Sequence, residues 1–330
     1  MEILKGKKPS AQKVVIYGVE GIGKSTFASQ FPDPLFSDTE GSTNALDVSR
    51  FQDADIWADL ISQARYVKNN QPCATYIVDS IDWAERLCME AICKEHGKKS
   101  IEDFGYGKGY TLLAEEFGKY LNLLQEIVDN GINVVLVAHS TIRKIERPDD
   151  ENSYDRYELK LQKKTAPLVK EWCDMLLFAN YQTYTQKTAD GKVKPKGKQR
   201  MMYCTYSPVW DAKNRHGLPD ELPFEFKQIK KLIPTFSKKE KAEKSKANNI
   251  AKIEAMQEEE HEDYTELKSK QDVIREELKK RDIGEDALLN FLNEKGLVKA
   301  KKLDDISNED INQVAERLDK ILDKIDDLPF

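Results

Sequence analysis

The sequence predicts an α/β fold, a mostly parallel sheet with helices on both faces and an antiparallel extension, followed by a small helical module. Three observations carry this. A glycine-rich turn sits between a β-branched run and a helical segment near the start of the chain. Short apolar runs then alternate with segments of helical spacing, and the composition changes abruptly at Ser237.

The turn lies in Lys13-Val-Val-Ile-Tyr-Gly-Val-Glu-Gly-Ile-Gly-Lys-Ser-Thr26 and matches the P-loop pattern G-x-x-x-x-G-K-[ST] in full at Gly18, Gly23, Lys24 and Ser25. Gly18, Gly21 and Gly23 let backbone N–H groups converge on phosphate oxygens where a Cβ would stand in the way. Lys24 is then expected to reach the β and γ phosphates and Ser25 to ligate Mg²⁺. The helix opened by Lys24, Ser25 and Thr26 adds the partial charge of its N-terminus. The chain is expected to bind a nucleoside triphosphate.

Before the turn, residues 1–12 read as a short basic arm. Phe31-Pro-Asp-Pro34 breaks the first helix, and Leu35-Phe36-Ser37 reads as a short buried strand. Ile56 to Lys68 has helical spacing, Thr75 to Asp79 is a β-rich run ending in an acid, and Trp83 to His96 is helical again. A polar, glycine-containing loop from Lys98 leads into an amphipathic helix over Tyr110 to Asp129, which Asn130-Gly131 closes. Val134 to Ala138 is a fully apolar strand. Beyond His139 the period changes. Ser140 to Tyr157 reads as charged and irregular, and Ala166 to Cys173 as a helix. Met175 to Thr185 and Arg200 to Ser207 read as strands flanking a hairpin tip with five lysines.

These readings divide the chain into a core over 1–236, a charged linker or helix over 237–270 and a small acidic helical module over 271–330, read as three helices. The net charge of −6 is uneven: from Ser237 to Phe330 there are 19 Lys+Arg against 25 Asp+Glu, so the excess acid lies entirely in the last part of the chain. This argues against a uniformly basic nucleic-acid coat and restricts any DNA contact to local patches. The acidic stretch is expected to compete with DNA, to dock a partner or simply to solubilise. No apolar run approaches the ~20 residues of a membrane span and no signal-peptide core is present. Five cysteines without a C-x-x-C pair indicate neither zinc nor a disulfide framework. A cytoplasmic, membrane-free protein is expected.

Asp79, at the C-terminal end of a strand expected to neighbour the P-loop strand, is the expected second acid of a P-loop site, ordering Mg²⁺ with Ser25; a helix N-cap is the plainer alternative. Two loops combine cations with rings that could stack on bases. One holds Arg143, Lys144, Arg147 and Arg156 with Tyr154 and Tyr157, diluted by Asp149, Asp150, Glu151 and Asp155. The other, from Lys98 to Tyr110, holds Lys108, Tyr106 and Tyr110. Against these stand a solvated loop and a hydrophobic loop tucked under the sheet.

Asp38-Thr-Glu-Gly41 followed by Ala45-Leu-Asp47 resembles the RecA-type recombinases, which carry an acidic D-x-E and A-L-D after the second strand. By that resemblance Glu40 is the catalytic base, supported by Asp38, with a loop-capping role as the alternative. His139 stands where RecA-like ATPases place a polar residue, often glutamine, that senses the γ-phosphate; histidine departs from recombinases proper, and a buried, satisfied histidine at a strand end is the alternative. Lys213 and Arg215 stand where such assemblies carry cations reaching a neighbour's γ-phosphate in trans, with a plain surface loop as the alternative. Together with Gly107-Lys-Gly-Tyr110, Val137-Ala-His-Ser140 and Arg215-His-Gly-Leu-Pro219, the motifs resemble phage P-loop ATPases with a bare RecA-like core, including the "Sak four" group of single-strand annealing proteins. The resemblance covers about residues 10–225. It implies ATP with Mg²⁺, an ATPase stimulated by single-stranded DNA, self-assembly into a ring or filament, and work beside a phage single-stranded DNA binding protein in the bacterial cytoplasm. The rivals are a nucleotide-dependent switch that recruits replication proteins and a small-molecule P-loop kinase.

Overall fold

Alternating burial along the central strands divides the apolar side chains between two cores. This computed structural model describes residues 6, 10–147, 150–187, 193–236 and 270–326. The chain divides into two units, Met1–Asn248 and Asn249–Phe330. The expected linker, residues 188–192 of the lysine-bearing hairpin tip expected over 186–198, and most of the N-terminal arm lie outside the described residues.

In the first unit the elements run β1 Lys13–Gly18, α1 Lys24–Ala28, β2 Pro34–Asp38, β3 Ser49–Arg50, α2 Trp57–Asn70, β4 Thr75–Asp79, α3 Ile81–Glu95 and α4 Lys108–Asp129. They continue as β5 Asn133–Arg147, β6 Asp150–Leu159, α5 Thr165–Trp172, β7 Met175–Lys187, β8 Val193–Tyr203, β9 Lys213–Asn214 and β10 Glu221–Pro223. The sheet order is β10-β8-β7-β1-β5-β4-β2-β3, with β6 on β5 and β9 on β7. From β7 to β3 neighbouring strands are parallel, while β8 and β10 extend the sheet antiparallel. The mostly parallel α/β fold expected from the sequence, with its antiparallel extension, is the one observed.

Strand residues of odd and even position part as period two requires. Val15, Tyr17, Tyr76, Val78, Leu136 and Phe178 face the core covered by α2, α3, α4 and α5. Val14, Ile16, Ile77, Val135 and Leu177 face Phe27, Phe31, Phe224 and Phe226 on the other side. Both faces are closed, which is why β1, β4 and β5 read as continuous apolar runs.

Two expectations are corrected. Ser140 to Tyr157 is not irregular. β5 runs on past His139 and pairs with β6 in an antiparallel hairpin, from Ser140 opposite Leu159 to Arg147 opposite Asp150. The charges conceal a two-residue alternation in which exposed Ile142, Lys144 and Glu146 alternate with half-buried Thr141, Arg143 and Ile145. The sequence also suggested that the P-loop strand and the strand ending in Asp79 are neighbours, but β5 lies between β1 and β4.

The second unit comprises α6 over 270–280, α7 Glu285–Glu294, α8 Asn308–Glu316 and α9 Leu318–Asp326. The last helix of the expected three is thus two, interrupted at Arg317. Both halves bury their apolar side chains, Ile311 and Val314 from α8 and Leu318, Ile321 and Leu322 from α9, in one core with Ile274, Leu288 and Leu292. No helix among the described residues is long and apolar enough to cross a membrane.

Candidate functional site

Parallel pairing brings the motif residues to one end of the sheet. Gly18 of β1 lies opposite His139 of β5, and Asp79 of β4 lies between Asp38 of β2 and Val137 of β5. The chain ends of four adjacent strands therefore converge, as open α/β sheets build their ligand crevices. Gly18 is packed so closely against β7 that a Cβ would stand 2.0 Å from the Ala179 carbonyl oxygen. Gly23 opens α1 at φ 99°, a left-handed conformation that turns the loop into the helix.

Lys24 is buried, and its Nζ donates to the carbonyl oxygens of Gly18 and Val19, each at 3.2 Å. Burial lowers its proton affinity, against the pull of Asp79, Asp82, Glu40 and Glu20. Asp79 is 1% exposed. Burial pushes its carboxyl above the usual carboxylate range, opposed by hydrogen bonds from Ser25 and Ser42, the latter at 2.9 Å.

The acidic segment after β2 divides its work. Asp38 is fully buried and accepts from the backbone N–H groups of Glu40, Gly41, Ser42 and Thr43 and from the Thr43 hydroxyl, at 2.6–3.2 Å. Burial would raise its pKa, but these hydrogen bonds, Thr43's foremost, outweigh it and hold it below the usual range. Thr39 ties the loop to β4 through the Ser80 carbonyl and N–H, both at 2.9 Å. Asp38 is thus the loop cap, and Glu40 is left facing the cleft. Ser80 Oγ donates to Glu40 Oε2 at 3.3 Å, and His139 Nδ1 lies 3.9 Å from the same oxygen. Burial raises the Glu40 pKa, with His139 pulling it down and Asp79 pushing it up.

Asp82, in the first turn of α3, orients His139. One carboxylate oxygen accepts the His139 backbone N–H at 3.0 Å, and the other contacts Nδ1 at 2.9 Å. This hydrogen bond raises the His139 pKa against its partial burial. Gly21, Gly23, Lys24, Ser25, Thr26, Glu40, Asp79 and His139 all line a single cavity of about 350 Å³.

The donor set fits a triphosphate with Mg²⁺: glycine-turn N–H groups, a buried lysine with no salt-bridge partner among the described residues, and Ser25 beside a buried carboxylate. Among the described residues no group of three His, Cys, Asp or Glu could hold a metal alone. A cation here would need phosphate oxygens and water to complete its shell, the usual arrangement for Mg²⁺.

A second cleft opens on the other side of Asp82. Trp83, Arg86, Thr141, Arg143, Lys160 and Gln162 line about 330 Å³. It adjoins a cavity of about 400 Å³ formed by Tyr110, Arg143, Gln162, Lys163 and Lys164. Trp83 is 36% exposed with the Arg86 guanidinium 4.8 Å above its ring. Lys164 Nζ donates to Thr111 Oγ1 at 2.6 Å, joining the α5 loop to the start of α4. Buried Glu85 accepts the Gln162 N–H with both oxygens at 3.0 Å and also the Thr165 hydroxyl, so it clamps the loop that carries Lys163 and Lys164.

Of the expected DNA contacts, Arg143 and Tyr110 meet in this cleft. Lys108 is exposed at the start of α4, and Lys144 is exposed on the hairpin. Arg147 ends β5 with its side chain outside the described residues. The expectation for Arg156 is withdrawn. Its guanidinium is 12% exposed, bonded to the Asp211 carboxylate and to the Trp210 carbonyl, and serves to anchor the hairpin. Tyr157 is likewise committed, its ring 5.0 Å from Phe178. Tyr106 is not tucked away: positive φ at Gly105, Tyr106 and Gly107 turns its ring wholly into solvent.

Arg215 does not join the nucleotide cavity of its own chain. It pairs with Asp174 at 3.1 Å, just before β7 and at the end of the sheet opposite Gly18. Lys213 Nζ bonds the Lys170 and Glu171 carbonyls there. The sequence reading missed Asp82, Lys160, Lys163, Lys164 and Arg200. Arg200 of β8 donates to the Ile22 carbonyl at 3.2 Å, and across the strand pair Tyr181 reaches the Gly21 carbonyl at 3.4 Å. The run Lys160-Leu-Gln-Lys-Lys164 was a legible basic signal; nothing local marked the others.

Residues 10–216 match the AAA domain family, more than half of the chain. The chain belongs to that family. As a P-loop ATPase of AAA type, it carries the nucleotide site that the family implies. Among curated proteins this AAA domain is similar to the SPbeta prophage-derived uncharacterized protein YorG of Bacillus subtilis, 26% identical over 137 residues, or 38% of this chain and 40% of that protein. The match thus spans well under half of the relative's length. Among solved structures, the KaiC-like protein PH0186 of Pyrococcus horikoshii aligns over 65% of this chain and 85% of that one, at 11% identity and a TM-score of 0.34.

Proposed function

We propose that this AAA-type ATPase hydrolyses ATP and binds single-stranded DNA as an oligomeric annealing protein of phage homologous recombination. The observation that carries the reading is Asp82. It grips the ring and backbone of His139 at the nucleotide cavity while itself lining the basic cleft. A change at the γ-phosphate therefore has a short covalent and hydrogen-bonded route to Trp83, Arg86 and Arg143.

The chemistry follows from the side chains. Lys24 and the turn N–H groups hold the phosphates. Ser25 and Asp79 would hold Mg²⁺, which would supply charge neutralisation for the phosphates. Glu40, whose pKa burial raises, is suited to take a proton from an attacking water. His139, close to Glu40, senses whether the γ-phosphate is present. Cations and rings in the second cleft suit the backbone and bases of a single strand. Arg215 of a neighbouring copy is the proposed cation completing the site in trans, and Arg200 supports the glycine turn in cis. The prophage origin of the relative supports a phage setting, with a phage single-stranded DNA binding protein as partner.

Gel shifts with labelled single-stranded and duplex DNA, with ATP, ADP or no nucleotide and at two salt concentrations, test the proposal alongside phosphate release. Nucleotide-dependent, salt-sensitive preference for single strands with DNA-stimulated turnover is expected. Nucleotide binding without turnover or DNA retention would replace the reading with a recruiting switch.

A further inference from the structure

Four cations of the C-terminal unit surround one apolar groove. About 360 Å³ in volume, it runs from the end of α7 along α8 and α9. Phe291, Val314 and Ile321 form its floor, and Leu297, 45% exposed, forms one wall. Lys295, Arg317, Lys320 and Lys324 line the rim against a single acid, Asp310. None of the four has a carboxylate partner among the described residues. Elsewhere in the unit the arginines are paired, Arg275 with Asp304 and Arg281 with Asp319 and Asp323.

We propose that this groove docks a short acidic peptide segment of a partner protein through one large apolar side chain. Lys320 and Lys324 are four residues apart on α9, so they stand in a row about 5–6 Å apart, and Arg317, just before that helix, lines the same groove. Alternate side chains of an extended peptide are spaced by about 6.6 Å, which sets its acids against that row. The apolar floor takes the anchor, and the cations select against neutral peptides. Single-stranded DNA fits less well. Phe291 is 8% exposed with Lys295 5.8 Å over its ring, so it offers no open face to a base.

The probe is a fluorescein-labelled nonapeptide of sequence Gly-Asp-Glu-Asp-Phe-Asp-Glu-Asp-Gly, which sets acids on both sides of one apolar anchor. Anisotropy is followed with the full chain at low and high salt. Saturable, salt-sensitive binding is expected. It should weaken at least tenfold in Arg317→Glu/Lys320→Glu, and comparably when the peptide's Phe is replaced by Ala. Circular dichroism and ATP turnover of the double variant should match the parent chain. No binding at millimolar peptide, binding unchanged in the double variant, or loss of single-stranded DNA retention instead of peptide binding each overturns the proposal.

Discussion

The two clefts that meet at Asp82 are built from opposite materials. The nucleotide cavity is made of buried acids and backbone groups whose partners are fixed by strand register: Asp38 accepts five hydrogen bonds, and Asp79 lies between two serines. The basic cleft is made of exposed lysines and half-exposed rings from α3, α4, β5 and the loop before α5. Chemistry on a phosphate needs reacting atoms held to fractions of an ångström. Grip on a polyanion needs charge density, which tolerates mobile side chains. Substitutions should therefore act all-or-none in the first cleft and by degrees in the second.

The largest effect is expected at Glu40. Glu40→Gln keeps the shape of the cavity and removes the proposed base, so phosphate release should fall by roughly 10² to 10⁴ while fluorescent-nucleotide binding stays within about twofold. Because burial raises the Glu40 pKa, turnover should also fall with acidification at a pH above the ordinary carboxylate range, where the base takes up its proton.

Glu85 tests the basic side by stability. Burial pushes its pKa up from 4.5 to about 7. The folded chain thus keeps a proton that the unfolded chain releases, and stability falls as pH rises through that interval. The loss amounts to about 3 kcal/mol at most. Denaturant melts from pH 5 to 8 should show the decline in the parent chain and a flatter profile in Glu85→Gln, which has no proton to release.

The same contrast governs what the sequence revealed. Gly18 to Ser25 was legible because its chemistry is contiguous, and Asp79 because a strand ending in an acid is a local pattern. That Asp38 caps the loop while Glu40 faces the cavity depends on which carboxylate collects the loop N–H groups, and spacing does not show that. Asp82 looks like any acid in a first helical turn; only the β4–β5 pairing brings His139 to it. The hairpin after His139 was hidden because arginine and lysine fill positions of a two-residue alternation. Nor does a run of cations disclose which are already bonded, so Arg156, tied to Asp211, looked the same as Lys164.

Next in size are the cations themselves. Lys163→Ala/Lys164→Ala should weaken single-stranded DNA binding about tenfold and lower the salt slope by about 1.4, from two lost phosphate contacts. Arg156→Ala should leave that slope unchanged and instead lower unfolding free energy by about 1.5–3 kcal/mol, because the Asp211 carboxylate loses its guanidinium. A slope change in Arg156→Ala would return it to the DNA surface.

The smallest effect is expected at the seam, and it separates two clefts that communicate from two that merely adjoin. Asp82→Asn preserves the shape of the side chain and its acceptor for the His139 backbone N–H, but removes the charge that raises the His139 pKa. The sign follows directly. A histidine stabilised as the cation by Asp82 contributes stability below its unfolded pKa, and that contribution is lost as pH rises through the raised folded value. In the variant the titration midpoint of His139 should move to lower pH. This can be followed by NMR in a chain with only four histidines. If the clefts are coupled, turnover without DNA should change no more than about threefold, while its stimulation by single-stranded DNA should be largely lost. That asymmetry is expected because Asp82 hydrogen-bonds His139 directly, whereas it reaches Lys24 and Glu40 through its charge. Equal loss with and without DNA would make Asp82 a support of the nucleotide cavity alone, and the basic cleft would then bind DNA without reporting to the nucleotide.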